Sequence, residues 1–408
     1  MTDAMAVETS AAGALPPFVE KVLDRWLGGW AHGRIVVKLP RNRQFAFGPT
    51  GGPEAIVTIN KMRALWRVAA SGSVGWAEGY MAGEWDCPDL TAFLTIAARN
   101  LATIESRGDG TMGARLFHRI MHALRPNTRA GSRRNIAAHY DLGNAFYRQW
   151  LDPSMTYSSA IFESRTDSLD AAQIRKYRRL CDLLKLKSGD HVLEIGCGWG
   201  GFAEVAARDY GCRVTALTVS EQQAVFARER MTRLGLSSHV EIRLQDYRDV
   251  NERVNAIASV EMFEAVGAEH WPTYFETLKR CLLPGGRAAI QTITISDANF
   301  ENYRRSADFI QRYIFPGGML SSPSIFKEAA AAAQLGVADA YFFGTDYAET
   351  LRRWAVAFNG AWPAIARLGF GERFKRMWNY YLSYCQAGFL AKHIDVAQFL
   401  VTRESHAP

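Results

Sequence analysis

The sequence predicts an α/β protein, with a parallel sheet clad by helices over residues 135–408 and a smaller α+β domain before it. Three observations carry this. From about residue 180, strand-like and helix-like stretches alternate, and such alternation implies right-handed crossovers between parallel strands. One strand, "HVLEIG", runs straight into a glycine cluster and then a helix. The length of 408 residues exceeds one ordinary core, so a second unit is expected upstream.

Taken in order, residues 1–15 are acidic before they are apolar and lack a basic start, which predicts disorder and no signal peptide. Residues 16–106 mix short strands ("GRIVVKLP", "EAIVTI") with helical stretches. Within them, "SVGWAEGYMAGEWDCPDLTAFLTIAARN" reads as a small-residue turn followed by an amphipathic helix. Residues 107–134 set Leu116, Phe117, Ile120, Met121 and Leu124 at near-helical spacing, with Arg115, Arg119, Arg125, Arg129, Arg133 and Arg134 around them. That pattern suits a basic amphipathic helix with a flexible joint, and equally an ordinary linker helix with a solvated face. Beyond them come strands at "HVLEIG", "CRVTALT", "VEIRLQ", "VNAIASV", "RAAIQTITI" and "DVAQFLVT". Helices are expected at 200–209, 221–235, "HWPTYFETLKRCL", 348–366 and 371–390, and "EAAAAAQ" is simply a good helix former.

At 48% hydrophobic and 22% charged, the composition is that of a globular protein. The net charge of +7 favours an anionic partner, for which nucleic acid and acidic lipid both qualify. Cys87, Cys181, Cys197, Cys212, Cys281 and Cys385 form no CxxC pair and no metal-like cluster, which fits reduced thiols in a cytosolic protein. No run of about 18 apolar residues occurs, so a membrane-spanning helix is excluded, whereas lying on a membrane is not.

"VLEIGCGWGG" (192–201) is the sharpest signal. Gly196, Gly198, Gly200 and Gly201 permit a tight turn and a close backbone approach to a ligand. The glycines alone also satisfy a dinucleotide fingerprint, but Glu194 decides between the two. At the strand end its charge would oppose a pyrophosphate at the helix N-terminus. S-adenosylmethionine brings an ammonium and a sulfonium and no phosphate, so a carboxylate suits it. The next strand closes on Thr218 instead of the acid a nicotinamide enzyme wants. Thr218, Ser220 and Gln223 are neutral groups for ribose hydroxyls, and Asp246 with Tyr247 offers an acceptor and a flat wall for adenine. All fall at carboxyl ends of parallel strands, where ligands of such sheets bind. The fold expected is therefore Rossmann-like, of the S-adenosylmethionine-dependent methyltransferase kind.

"SVEMFEAVG" (259–267) places Glu261 and Glu264 after an apolar strand. Unpaired buried carboxylates are costly, so either the pair has a task or it begins a solvated helix.

"HYDLGNAFYRQWLDPSMTYSSAIF", "VLEIGCGWGG", "LTVSEQQ", "LQDYRD", "MFEAVG", "RYIFPGGML", "DYAETLRRW" and "RFKRMWNYYLSYCQAGF" occur in that order. Together they resemble the cyclopropane-fatty-acyl-phospholipid synthase family from about residue 75 to the C-terminus. The resemblance implies methyl transfer from S-adenosylmethionine to the cis double bond of an acyl chain on a membrane phospholipid, through a carbocation. It implies that Tyr157 and Ser158 close over the methionine end beside Glu194, Gly196, Gly198 and Gly200. It further implies that Thr218, Ser220 and Gln223 hold the ribose, and that Asp246, Tyr247 and Arg248 flank the adenine. A bicarbonate ion is implied as well, held by Glu264, Tyr347 and the Ile293 amide. Two departures touch that anion: Ser159 stands where the family has cysteine, and Gln291 where it has histidine. Glu261 replaces a usual glycine, and Ala265 a histidine. Gln291 cannot carry charge or shuttle a proton.

A second outcome follows, in which the cation loses a proton from the chain and leaves a methyl- or methylene-branched acyl group. Cys385 matches a cysteine marked as active in the family, although no acid or histidine lies near it in sequence. The N-terminal portion, residues 16–106 with "AEGYMAGEWDCPDL", resembles the family's lipid-engaging domain, and it and the Arg-rich stretch are expected to bring the enzyme onto anionic bilayers. The expected partners are unsaturated phospholipid chains, an anionic membrane surface at the inner face of the membrane, and a second copy in a homodimer. Nucleic acid and metal are not expected. Rival readings are a methyltransferase for a small metabolite and a non-catalytic donor-binding adaptor.

Overall fold

A computed structural model describes residues 17–108, 142–305 and 308–404. The predicted disordered start and nearly all of the Arg-rich 107–134 stretch lie outside these residues.

The N-terminal unit is a four-stranded sheet of order β2-β1-β3-β4, built from β1 (Arg34–Leu39), β2 (Arg43–Phe47), β3 (Glu54–Ile59) and β4 (Trp85–Asp86). Helices Pro17–Leu27, Arg63–Met81, Leu90–Arg99 and Leu101–Gly108 accompany it. The sequence predicts a turn at "SVGWAEGYM", yet it is helix, broken once at Gly72, where φ is +58° and ψ is −137°. Its small residues serve close packing: a Cβ on Gly79 would lie 3.1 Å from the Trp85 ring.

The second unit is a seven-stranded sheet of order β10-β11-β9-β8-β5-β6-β7. Its strands are β5 (His191–Ile195), β6 (Arg213–Thr218), β7 (Val240–Leu244), β8 (Val254–Val260), β9 (Leu282–Ile295), β10 (Gly336–Phe342) and β11 (Ile394–Thr402). Strands β5 to β9 are parallel, and β10 and β11 join antiparallel. The order reverses beside β5, so its carboxyl end opens into a crevice, the usual ligand position in such sheets. Helices Gly201–Tyr210 and Glu221–Arg233 follow β5 and β6, the second capped by Ser220. Helix Leu169–Leu184 precedes β5, and Trp271–Cys281 leads into β9. The helix expected over 348–366 is two, Gly344–Gly360 and Trp362–Arg367, because Pro363 restarts the chain as a new N-terminus. Strand β10 escapes the sequence reading because it is an edge strand with mostly exposed residues and no apolar alternation.

The two units share one apolar core. It runs from Val19, Ile35 and Trp85 to Trp354 and Trp378. Helix Glu372–Leu390 joins them, with the Arg376 guanidinium bonded to Tyr80 O, to Trp85 O at 2.8 Å and to Asp86 Oδ1 at 2.7 Å. Among the described residues no helix is long and apolar enough to cross a membrane.

Candidate active site

A cavity of about 620 Å³ opens at the carboxyl ends of β5, β6 and β8 and extends into the N-terminal unit. Tyr157, Ser158, Glu194, Gly196, Gly198, Thr218, Gln223, Asp246, Tyr247, Arg248, Glu264, Tyr347 and Cys385 all line it, as does Glu261. Gly200 and Ser220 do not. Gly200 starts a helix at φ +84°, and the Ser220 hydroxyl accepts from Gln223 N, so that Ser220 serves as a cap more than a ligand contact. Ser159 and Gln291 are fully buried behind the wall.

The donor side follows from local folding. Gly196 has φ +84°, and a Cβ there would lie 2.7 Å from Met262, so only glycine lets the loop pass. Nothing lies within 4 Å of the corresponding point on Gly198, which leaves an open cradle. Glu194 is buried, and its Oε2 has no hydrogen-bond partner among the described residues. Burial pushes its pKa up to about 8. A buried acid with one bare oxygen at a glycine cradle fits an ammonium-bearing sulfonium nucleotide. Thr218 Oγ1 donates to Gln223 Oε1 at 2.8 Å. Asp246 is gripped by the Arg248 fork at 2.9 and 2.7 Å, and a carboxylate so held retains further lone pairs.

One neighbour was not visible from the sequence. Lys176 is fully buried, donates to Ser158 Oγ at 2.6 Å, and lies 4.2 Å from the Tyr177 ring centroid. Burial pulls its pKa down to about 7, against the opposing pull of Glu261, Asp152 and Glu194. The signal was a lysine inside the buried stripe of helix Leu169–Leu184, between Gln173 and Leu180.

The anion side departs from expectation. Tyr347 donates not to Glu264 but to Glu261 Oε2, at 2.6 Å. Glu261 Oε1 accepts from Ser159 N and from Gln291 Nε2, each at 2.8 Å. These are three of the groups that surround the bicarbonate position the resemblance implies, and all end on a side-chain carboxylate. The residues present therefore do not fit a separate bicarbonate there. Glu264 Oε1 accepts from Ile293 N at 2.6 Å, and its Oε2 is buried without a partner among the described residues. Burial raises both acids, and Glu261 further raises Glu264. The solvated-helix reading of the pair fails. Aromatic faces close the site: Tyr157 hydroxyl meets Tyr381 hydroxyl at 2.8 Å, and Tyr347 stacks on Phe389 at 4.5 Å. Cys385 is half-buried in apolar surroundings, and that desolvation pushes its thiol well up and leaves it without thiolate character.

Comparison with known proteins decides the kinship. Residues 127–399 match the family model described as mycolic acid cyclopropane synthetase. The chain belongs to that family. It is 40% identical over 357 residues to the tuberculostearic acid methyltransferase of Mycobacterium tuberculosis, covering 83% of this chain and 81% of that protein. It is 38% identical over 365 residues to the cyclopropane-fatty-acyl-phospholipid synthase of Escherichia coli K12, covering 86% and 89%. Among solved structures, the cyclopropane synthase MmaA2 from Mycobacterium tuberculosis superposes with a TM-score of 0.63 at 29% identity, over 66% of this chain and 98% of that one. A mycolic acid cyclopropane synthase complexed with SAH and CTAB gives 0.62 at 31%, over the same shares. The cyclopropane synthetase fold, with an added N-terminal α+β unit, is thus a S-adenosylmethionine-dependent fatty-acyl C-methyltransferase of the cyclopropane- and branched-chain-forming kind.

Proposed function

We propose that this enzyme methylates the cis double bond of an unsaturated acyl chain carried on a membrane phospholipid and releases a methyl-branched, unsaturated product. The observation that carries the reading is the Glu261 carboxylate, built into the place of an exchangeable anion. When bound, S-adenosylmethionine supplies an electrophilic methyl on a sulfonium. Glu194 faces its cationic end, and Tyr157 and Ser158 cover it. Burial holds the Glu261 pKa up while Lys176 and three hydrogen-bond donors pull it back, and in its ionised form the carboxylate sets negative charge against the cation that develops on the acyl carbon. The faces of Tyr157 and Tyr381 exclude water and add their π charge.

Ring closure demands that a proton leave the transferred methyl and be carried away. Gln291 can neither accept nor relay one. Glu264 lines the cavity, its Oε2 has no donor among the described residues, and the ionised fraction of this acid, whose pKa burial lifts to about 8, takes a proton from the acyl carbon beside the cation. The electron pair of that C–H bond closes a new C=C bond, and the acid is neutralised. Identity to a tuberculostearic acid methyltransferase at 40% and to a cyclopropane synthase at 38% leaves the product to be decided by the site.

The test is the product formed from vesicles of a monounsaturated phospholipid with the methyl donor. NMR of the extracted lipid should show olefinic protons beside a new methyl. High-field cyclopropane protons would overturn the branching reading, and untouched lipid would overturn the acyl reading.

A further inference from the structure

We infer that Arg179 is a positioning residue for the reacting site: through two buried glutamines it fixes which way the Gln291 amide points, and so keeps an N–H on Glu261. The inference rests on the reading of Glu261 given above and adds what holds that carboxylate's donor in place.

Gln291 on β9 and Gln398 on β11 are cross-strand partners, and both side chains are fully buried. Half-buried Arg179 comes from helix Leu169–Leu184, the helix that also sends Lys176 to Ser158. Its Nη1 donates to Gln398 Oε1 at 2.8 Å. Gln398 Nε2 donates to Gln291 Oε1 at 3.0 Å, and Gln291 Nε2 donates to Glu261 Oε1 at 2.8 Å. The guanidinium carbon lies over the Tyr341 ring of β10, 4.0 Å from its centroid, which steadies the fork. Three hydrogen bonds thus run in one sense from a cation to the carboxylate.

That sense is not free. A primary amide has nearly the same shape either way round, so packing alone does not choose between its oxygen and its nitrogen. Arginine carries only donors, so Gln398 must offer it the oxygen. The Gln398 NH2 is then left for Gln291, whose oxygen accepts, and the Gln291 NH2 is left for Glu261. Turned over, Gln291 would set its oxygen against the carboxylate and exchange a charge-assisted bond for repulsion. The low dielectric around the two amides strengthens each bond and lets the chain polarise along its length.

Arg179→Glu puts an acceptor where the donor was and turns both amides over. The readout is the carboxyl C=O stretch of Glu261 in infrared difference spectra, identified as the band that Glu261→Gln lacks. It is followed through a pH titration of the protein without the methyl donor. No turnover is needed, so the result stands whichever lipid proves to be the substrate. In Arg179→Glu the band should persist to higher pH than in the parent by about one pH unit or more, the weight of one hydrogen bond to a charged group. With vesicles, kcat should fall about tenfold while affinity for the methyl donor holds. Charges also act through space: Lys176, Tyr347 and Glu264 face Glu261, and Tyr341 and Asp339 face Arg179. Gln398→Met cuts the relay and leaves all of these in place. In that background Arg179→Glu should move the band little. An equal shift with and without Gln398 overturns the relay, as does an Arg179→Glu band that titrates like the parent's. Arg179→Lys, still a donor with no acceptor, should titrate close to the parent, and a shift as large as that of Arg179→Glu would overturn the inference too.

Discussion

At the scale of single residues, Glu261 is the most informative. Its φ of +50° is one that L-residues avoid at a cost of about 1–2 kcal/mol and glycine bears freely. The structure accepts that strain and turns the carboxylate onto Tyr347, Gln291 and the Ser159 amide. Glu261→Gln removes the charge with little change of shape, and kcat should drop by about 100-fold or more while donor affinity holds. Glu261→Gly relieves the backbone and frees the three donors, so added bicarbonate should restore part of its activity and none of the parent's. Steady-state rates with and without bicarbonate check both. Glu194 makes a pH prediction. Its carboxyl, held at about 8 by burial from an ordinary 4.5, is mostly protonated in the free protein at neutral pH. A cationic donor needs it ionised, so affinity should rise with pH toward about 8, with a proton released on binding below that. Calorimetry in buffers of different ionisation enthalpy measures the release, and Glu194→Gln should flatten the slope. The folding contribution runs the other way: stability from the raised Glu194 pKa is full below 4.5 and is lost as pH climbs through about 8.

At the scale of elements, the strand ends were legible because a period of two residues and a following glycine are short-range signals. That is why β5, β6 and β8 stand where expected, with Glu194, Thr218 and Glu261 at their tips. Which glutamate Tyr347 would meet was not legible. The partners lie 86 residues apart, and the choice depends on a left-handed turn at position 261 that no propensity foretells. The N-terminal helix Arg63–Met81 was hidden for a different reason. Gly75 and Gly79 read as a turn locally, whereas Gly79 lets the helix pack against the Trp85 ring and Gly72, at φ +58°, marks its break. Lys176 was hidden as a charge in an apolar stripe, tolerable only because Ser158 and three buried acids surround it. Helix Glu372–Leu390 carries a prediction of its own. Arg376→Ala deletes bonds to Trp85 O and Asp86 Oδ1 and the contact of its guanidinium with the Tyr80 ring at 4.1 Å. Charge-assisted bonds of this kind contribute about 1.5–3 kcal/mol, so the midpoint of chemical denaturation should fall measurably.

At the scale of the whole molecule, the question is how a lipid chain reaches a buried site from a bilayer. The chain carries a net charge of +7, which draws it toward acidic lipid. Helices Pro17–Leu27 and Arg63–Met81, which line the cavity on their inner faces, also carry an aromatic pair toward the surface. Trp66 is 60% exposed and stacks on Phe18 with 3.7 Å between ring centroids. A large exposed indole normally finds a reason in what it touches, and the interfacial zone of a membrane suits an amphipathic ring. On the proposed phospholipid reading, two forces would act over different ranges: charge would gather the protein, and the ring would insert. Screening is nearly complete beyond about 10 Å in 0.1 M salt, so binding to anionic vesicles should weaken as salt rises. The Trp66 contribution should survive that salt, because burial of apolar surface is not screened. Co-sedimentation with anionic and neutral vesicles across a salt series separates the two, and Trp66→Ser should remove the salt-resistant part alone. Binding indifferent to lipid charge and to salt would sink the electrostatic half. A Trp66→Ser variant that binds like the parent would sink the other and move the point of acyl entry away from the Phe18–Trp66 face.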